Sequence, residues 1–419
     1  MSDLPTVSDR RLAVRITGDA ERQVRGGHPW VFDGSIESIS HEGSAGDLAV
    51  VFDRRRKFMA IGLYDPMSPI RIRVLHAGKP RQIDEEFWLE VLAAALDLRQ
   101  SLLDDDATSG YRLLNGESDG FPGLVADRYD DVLVLKLYTA AWIPHLRVIV
   151  DLLADLVGVR SVVLRLSRAL QQAPPAGLRD GAPLLGVSPT SPVRFLENGL
   201  RFEADVVAGQ KTGHFLDQRD NRALVGGLAE GARVLDVFSC TGGFSVHAAA
   251  GGAREVVSVD QSRPALDGAV RNMGLNHHLA TVAACRHRVI AGDAFTAMER
   301  MSAAGERFDI VVIDPPSFAP RQRDVARALA AYARLTRLGL DLVNDGDWFV
   351  QSSCSARIDA ETFEVNVSES ASSVGVELLD TIVTGHPIDH PVTFPEGAYL
   401  KAVFGRPRRW PTAAAASEQ

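Results

Sequence analysis

From about residue 192 to residue 404, short apolar strands alternate with helical stretches, and this alternation constrains the fold more than any other feature of the chain. Strands are predicted at residues 233–238, 255–260, 288–291, 309–314, 348–352, 377–384 and 399–404. Strands that are separated by helices pair in parallel, and the helices cover both faces of the sheet. Because no helix separates the last two strands, we predict that they pair antiparallel. The pattern predicts an α/β, Rossmann-like domain with a seven-stranded, mostly parallel sheet.

The residues before this region predict two smaller domains. Between residues 11 and 75, short apolar and β-branched runs are divided by turn residues, which is typical of a small all-β domain. Helices at 84–103 and 144–156, with strands at 124–127, 132–138 and 161–166, then predict an α+β domain. A chain of 419 residues has room for two or three domains. We place them at residues 9–78, 82–190 and 192–406, and we expect the low-complexity tail at 411–419 to be disordered.

Composition excludes several classes of protein. Hydrophobic residues make up 46% of the chain and charged residues 24%, as in ordinary globular proteins. Cys240, Cys285 and Cys354 are too few and too scattered for a disulfide framework or a zinc site, so we expect free thiols and no metal. No apolar run approaches the roughly 18 residues of a membrane span, and no basic apolar leader is present. We therefore expect a cytoplasmic protein with no membrane partner.

The net charge of −9 argues against a protein held to nucleic acid by a general basic excess. Local patches can still steer binding, and one turn carries four consecutive basic residues, Arg54, Arg55, Arg56 and Lys57. Such a run is often only a solvated hairpin tip. Arginines close to exposed rings also suit phosphate contact and base stacking, which makes this turn a candidate RNA contact.

The carboxyl ends of the strands carry the residues expected to bind a ligand, because ligands of open α/β sheets bind there. The first strand leads into a glycine-containing turn with Asp236, Ser239, Cys240, Thr241 and Gly242. The second ends with Asp260 and Gln261, where a carboxylate can accept both hydroxyls of a ribose. The third is followed by Asp293 and Ala294, placed to contact an adenine. Each acid alone could be a helix cap, but three in register predict a nucleoside cofactor.

The glycine spacing distinguishes between nucleoside cofactors. It is not the G-x-G-x-x-G pattern of dinucleotide-binding folds. S-adenosylmethionine instead carries an amino acid and a sulfonium, which favour an acidic partner such as Asp236. We therefore predict S-adenosylmethionine as the cofactor.

Asp314 and Cys354 end the fourth and fifth predicted strands. Neighbouring strands lie about 4.8 Å apart, so the two side chains are expected to emerge over one pocket. Carbon 5 of a pyrimidine is a poor nucleophile, and addition of a thiolate to carbon 6 makes it able to attack a methyl group. Cys354 could supply that thiolate, and Asp314 could hydrogen-bond the N3 region of the ring. The base that removes the carbon 5 proton, and the means by which the thiol is ionised, are left open.

The chain from about residue 11 to residue 404 resembles the bacterial class I methyltransferases that make 5-methylcytosine in large-subunit ribosomal RNA and carry an N-terminal PUA domain. The residues that carry the resemblance are His28 to Phe32, Gly116 to Gly120, Gly209 to Arg219, Ser239 to Phe244, Asp314 to Pro316, Ser353 to Ser355, Asp389 to Val392 and Phe394 to Gly397. The resemblance implies an RNA-binding PUA domain, a middle domain that helps to shape an RNA cleft, and Cys354 as the nucleophile.

The same resemblance implies 23S ribosomal RNA as partner and a segment, 211–219, that packs over the cofactor. We expect Lys211, Phe215 and Gln218 to bind the cofactor and Arg219 to bind RNA. Two departures matter: Cys240 stands where relatives often have an aromatic residue, and the fourth motif has no cysteine. A second thiol at that motif therefore cannot serve the elimination step.

Two other functions are kept beside cytosine C5 methylation. One is methylation of an exocyclic base nitrogen, which needs Asp314-Pro315-Pro316 but no thiol. The other is a non-catalytic RNA-binding or ribosome-assembly factor that retains the fold. The target nucleotide, the choice between free RNA and an assembling subunit, and the oligomeric state, including a homodimer, are left open.

Overall fold

The computed structural model describes residues 4–174 and 177–411, so most of the predicted tail lies outside the described residues. The chain divides into two compact units. The first contains the described residues within 1–196, 204–216 and 388–395, and the second contains those within 197–203, 217–387 and 396–411.

The first unit begins with a six-stranded sheet, within the part of the chain that the structure describes. Its strands are β1 (Leu12–Ile16), β2 (Trp30–Phe32), β3 (Ile36–Ile39), β4 (Leu48–Phe52), β5 (Phe58–Tyr64) and β6 (Ile70–Ala77), in the order β2-β6-β5-β4-β1-β3. A short helix, α1 (Gly18–Arg25), follows β1 and starts at Thr17, whose hydroxyl accepts from the Ala20 N–H. Alternate residues of β1 are buried, as expected for a strand with one face on a core.

A second sheet of the first unit follows. It contains β7 (Gly110–Asn115), β8 (Leu124–Tyr129), β9 (Val132–Leu137), β10 (Ser161–Leu166) and β11 (Pro183–Leu185), with helices α2 (Glu85–Leu98), α3 (Gln100–Leu103), α4 (Leu146–Val157) and α5 (Arg168–Gln172). Trp88 and Trp142 pack in the same apolar cluster as Leu48 and Leu63 of the first sheet. The two predicted N-terminal domains thus share one core, and the boundary between them stays a prediction. Strands β12 (Val193–Glu197) and β13 (Leu200–Ala204) form a two-stranded sheet.

The second unit is built on one large sheet, which among the described residues has seven strands. They are β14 (Arg233–Val237), β15 (Glu255–Asp260), β16 (Arg286–Ala291), β17 (Phe308–Ile313), β18 (Val343–Ser353), β19 (Val376–Thr384) and β20 (Lys401–Arg409). Their order is β16-β15-β14-β17-β18-β20-β19, and β20 runs in the direction opposite to the other six strands. The structure confirms the predicted α/β class and the mostly parallel seven-stranded sheet.

Helices cover both faces of this sheet and explain its continuous apolar strands. They are α6 (Arg219–Gly227), α7 (Gly243–Ala250), α8 (Arg263–Leu275), α9 (Ala280–Ala284), α10 (Ala294–Ala303), α11 (Val325–Leu342) and α12 (Ala360–Ser372). One apolar cluster includes Leu235, Val311 and Tyr332, and another includes Val234, Ile310 and Phe244. Strand order reverses between β14 and β17, so their carboxyl ends open the crevice where ligands of such folds bind.

Candidate active site

The turn after β14 has positive φ angles, a backbone conformation that residues other than glycine rarely adopt. Phe238 and Cys240 have φ angles of 64° and 48°, and Gly242 has a φ of 77°. A Cβ atom at Gly242 would lie 2.8 Å from the Cβ of Ala269, so both the dihedral angle and the space require glycine. Strain of this kind is concentrated at binding and catalytic sites. The turn is therefore the first element of the candidate site.

Asp236 is fully buried at the end of β14. Its Oδ2 accepts hydrogen bonds from the N–H and the hydroxyl of Ser245, at 3.1 and 2.6 Å. Its Oδ1 and the hydroxyl of Ser239 are buried without a hydrogen-bond partner among the described residues. Burial, reinforced by the carboxylates of Asp314 and Asp260, raises the pKa of Asp236 to about 7. Because buried polar atoms are normally paired, these two atoms fit a polar ligand such as the amino acid end of S-adenosylmethionine.

A chain of side-chain hydrogen bonds leads to Asp236 from the edge strand of the sheet. Ser245 Oγ lies 2.7 Å from Ser258 Oγ, which lies 2.8 Å from His287 Nε2. Burial lowers the pKa of His287 to about 4, so its ring is neutral near pH 7. The one hydroxyl proton of Ser245 goes to Asp236, so Ser258 donates to Ser245 and His287 donates to Ser258. Each donor in the chain is directed toward the Asp236 carboxylate, which it orients and stabilises.

Asp260 ends β15, the strand next to β14. Its carboxylate accepts from the N–H groups of Cys240 and Ser262, at 3.0 and 2.8 Å, so the glycine-containing turn and the start of α8 both hold it. Gln261, the next residue, is exposed. Burial raises the pKa of the Cys240 thiol to about 11, so this thiol is protonated near pH 7. That state agrees with a residue that lines the turn and does not act as a nucleophile.

Asp293 caps helix α10. Its Oδ1 accepts from the N–H and the hydroxyl of Thr296, at 2.9 and 3.0 Å, and the following Ala294 is buried. One oxygen of this carboxylate thus has the structural role that a helix N-cap requires. The predicted contact with an adenine stays a prediction.

Asp314 follows β17 and is held by an amide and a hydroxyl. Gln218 Nε2 donates to Asp314 Oδ1 at 2.8 Å and lies 3.3 Å from Ser352 Oγ. The Ser352 hydroxyl also donates to Asp314 Oδ1. The Asn221 amide donates to the Gln218 carbonyl oxygen at 2.6 Å, which fixes which end of the Gln218 amide faces the carboxylate. Gln218, predicted to bind the cofactor, therefore positions Asp314 in this structure.

Cys354 lies where the register of the strands predicts. Ile313 pairs with Gln351, so Asp314 and Cys354 leave neighbouring strands at the same end of the sheet. The Cys354 sulfur is half-buried and lies 4.0 Å from the Pro315 carbonyl oxygen. A thiol that is only half-buried at this edge can be reached by a substrate.

The backbone on either side of Cys354 is anchored to one helix. Ser353 Oγ donates to the Tyr332 hydroxyl at 2.9 Å, and the hydroxyls of Tyr332 and Ser355 are 3.0 Å apart. Tyr332 is buried in α11. Because both neighbours of Cys354 bond to one rigid tyrosine, the position of the thiol is well defined.

Other predicted site residues lie in the first unit. Lys211, with a φ of 52°, places its Nζ 4.2 Å from the centroid of the Phe215 ring, and the role of both in cofactor binding stays a prediction. The side chains of the basic turn 54–57 are all exposed between β4 and β5. Asp53 accepts from the N–H groups of Arg55 and Lys57, which orders the turn and leaves its cations outward.

Arg219, predicted to bind RNA, is buried at the start of α6. Its side chain is only 3% exposed, and its Nε donates to Asp220 Oδ1 at 3.1 Å. The first turn of α6 directs this side chain inward, and the predicted contact of Arg219 with RNA stays a prediction.

Sequence reasoning did not identify four residues of this site: Ser258, His287, Tyr332 and Lys401. Two of them left a signal in the sequence. Ser258 interrupts an apolar strand, and Lys401, one of five lysines in the chain, stands beside the apolar run 402–404. A polar residue within a buried strand usually has a specific partner.

Two searches of the described residues concern other classes of site. They contain no group of three or more His, Cys, Asp or Glu residues that could hold a metal ion. In the same residues, each helix is too short or too polar to cross a membrane.

Comparison with known proteins agrees with this geometry. A family model for a PUA-like domain matches residues 14–77, and one for S-adenosylmethionine-dependent methyltransferases matches residues 112–391. The chain is 48% identical over 405 residues to a Deinococcus radiodurans protein named ribosomal RNA large subunit methyltransferase, covering 96% of this chain and 98% of that one. It is 34% identical to a Tolumonas auensis protein named ribosomal RNA large subunit methyltransferase I, covering 94% and 98%.

Two solved structures share the fold. The crystal structure of SMU.776 complexed with SAH has a TM-score of 0.79 at 23% identity and covers 94% of this chain and 99% of that one. A SAM-dependent methyltransferase from Streptococcus mutans has a TM-score of 0.78 at 22% identity, with the same coverage.

Proposed function

Because this chain belongs to the S-adenosylmethionine-dependent methyltransferase family, with a PUA-like domain before the catalytic domain, we propose that it methylates carbon 5 of a cytosine in 23S ribosomal RNA. The match confirms the predicted cofactor and the enzyme class. Relatives that share nearly their whole length with this chain are named for large-subunit ribosomal RNA, and the chain is an RNA methyltransferase of that kind. The cytosine, its carbon 5 and the covalent route are the proposal.

The observation that carries this proposal is the half-buried thiol of Cys354 beside Asp314 at the carboxyl ends of β17 and β18. Methylation of an exocyclic nitrogen would use Asp314 and leave a thiol at this place without a purpose. A thiolate is the group that carbon 5 chemistry requires.

S-adenosylmethionine supplies a methyl group on a sulfonium. The Cys354 sulfur forms a bond to carbon 6 of the cytosine, and the electron pair of the C5–C6 double bond moves to carbon 5. Carbon 5 takes the methyl group as the carbon–sulfur bond of the sulfonium breaks. Loss of the carbon 5 proton to a base reforms the double bond and releases the Cys354 thiolate. Asp314, held by Gln218 and Ser352, gives a proton to N3 of the ring as the thiolate adds and takes the same proton back when the thiolate leaves.

Asp236 and Asp260 bind the methyl donor in this proposal. The unpaired Oδ1 of Asp236 and the Ser239 hydroxyl suit the amino acid part of the methyl donor. The oriented carboxylate of Asp260 suits the two ribose hydroxyls. The exposed cations at 54–57 of the PUA-like domain suit the phosphate backbone of RNA.

The decisive experiment is incubation with methyl-labelled S-adenosylmethionine and unmodified ribosomal RNA, followed by nucleoside mass spectrometry. We expect 5-methylcytidine, and we expect Cys354→Ala to abolish it while calorimetry still detects cofactor binding. RNA containing 5-fluorocytosine should form a denaturation-resistant complex, since fluorine cannot leave carbon 5 as a proton does. Cys285→Ala, which alters the thiol between α9 and β16, is the matched control and should retain transfer. A methyl group on an exocyclic nitrogen, or full turnover by Cys354→Ala, would refute the proposal.

A further inference from the structure

Lys401 is a buried lysine directly beside the proposed nucleophile. It is the first residue of β20 and pairs with Ser353 of β18, the residue before Cys354. Its side chain is among the largest fully buried in the described part of the chain, and the residue is 2% exposed. The structural position thus brings an ammonium group to the strand end that carries the thiol.

The ammonium group is held by three backbone carbonyls. It donates to Ser355 at 2.5 Å, to Tyr399 at 3.1 Å and to Ile358. Two of these carbonyls belong to the turn that follows Cys354. A lysine ammonium has three donors, so this arrangement satisfies all of them and favours the charged form.

Three ionisable groups around the Cys354 thiol are negative when charged, so a nearby cation affects the stability of its thiolate. Asp314 lies after β17, Asp359 caps α12 and Tyr332 projects from α11; ionised, these groups disfavour a thiolate. His386 accepts from the N–H of Leu400, and Arg357 in the turn is exposed. Burial lowers the pKa of Lys401 to about 8, whereas Cys354 and Asp359 act to raise it. The Lys401 ammonium therefore persists at neutral pH, where it is bonded to the turn that follows Cys354.

We propose that Lys401 is the positioning residue that fixes the turn after Cys354 and stabilises the Cys354 thiolate. This inference deepens the proposed function and rests on it, because a stabilised thiolate is useful only if Cys354 attacks the pyrimidine. The residue acts through Cys354 and does not itself touch the substrate.

Alkylation by iodoacetamide measures the thiolate without RNA or cofactor. Rates are followed for each cysteine-containing peptide by mass spectrometry between pH 5.5 and 9.5, in the full-length protein. In the wild type, Cys354 should titrate below the value of about 8.5 that is usual for a free cysteine. In Lys401→Met, its alkylation at pH 7 should slow on the order of tenfold, and the profile should move to higher pH. Lys401→Arg retains the charge and should restore most of the rate.

Cys285 is the internal control. Burial raises the pKa of its thiol to about 11, and its alkylation profile should be the same in all three proteins. Calorimetry with S-adenosylmethionine verifies that each variant retains the cofactor site. If Lys401→Met does not fold, the wild-type and Lys401→Arg profiles decide the question.

A wild-type Cys354 that titrates at or above about 8.5, or a Lys401→Met profile that stays in place, would overturn the inference. The two proposals fail separately. Methyl transfer by Cys354→Ala contradicts the nucleophile, even when Lys401 still controls alkylation. If Cys354→Ala loses methyl transfer but Lys401→Met does not change the alkylation of Cys354, only the positioning role of Lys401 is contradicted.

Discussion

Cofactor affinity is expected to depend on pH because one buried carboxyl must ionise to receive the methyl donor. Without ligand, burial and the neighbouring carboxylates raise the pKa of Asp236 to about 7. The amino group of S-adenosylmethionine stays protonated below about 7.7 and pairs with the carboxylate form. Binding therefore selects the ionised Asp236 and displaces its proton.

The magnitude follows from the ionised fraction of Asp236. With a pKa of about 7, about half of the protein is ionised at pH 7 and about one eleventh at pH 6. The apparent Kd for S-adenosylmethionine should thus weaken about fivefold from pH 7 to pH 6. At pH 6, close to one proton should be released for each ligand bound.

Calorimetry between pH 5.5 and 7, in two buffers that differ in ionisation enthalpy, measures both quantities. Asp236→Asn is the control: its binding should be weaker and nearly independent of pH. Ser245→Ala removes the hydroxyl that lowers the pKa of Asp236 and should shift the pH dependence upward. A wild-type Kd that is constant over this range, with no proton released, would refute the role of Asp236.

Two further predictions concern the stability of the second unit, measured by urea unfolding. Gly251→Ala should destabilise the protein by about 3 kcal/mol, because its Cβ would lie 1.9 Å from the Gly226 carbonyl oxygen. Gly274→Ala, in α8, adds a Cβ in open space and should stabilise the protein by about 0.5–1 kcal/mol. Arg222→Ala should cost about 3–5 kcal/mol, because it leaves the buried Glu197 carboxylate without its two guanidinium bonds at 2.7 and 2.6 Å. Arg263→Ala, in an exposed pair with Asp267 in α8, should cost less than about 1 kcal/mol. Equal effects within either pair of variants would contradict the packing or the charge argument.

Local features of the sequence were enough to predict the large sheet and the ends of its strands. Helices and strands differ in the period of their apolar residues, and β15 is predicted to the residue as Glu255–Asp260. Strand β18 is the counter-example, because it begins at Val343, within a polar stretch. Its polar first residues are stabilised by pairing with β17, which a local pattern does not reveal. Strand β7 was not predicted, and it too is stabilised by pairing, in its case with β8.

The chain order alone determined that acids and a cysteine follow successive strands, because parallel strands place their carboxyl ends at one edge. Tertiary structure alone decided what each side chain meets there. Arg219 is buried, Gln218 faces Asp314, and the Lys401 ammonium lies beside the turn after Cys354. Gln218 and Asp314 are 96 residues apart in sequence, and Lys401 and Ser355 are 46 residues apart. Contacts between such distant residues depend on how whole elements pack. Propensity and periodicity act over a few residues, whereas burial and charge pairing are properties of the folded chain.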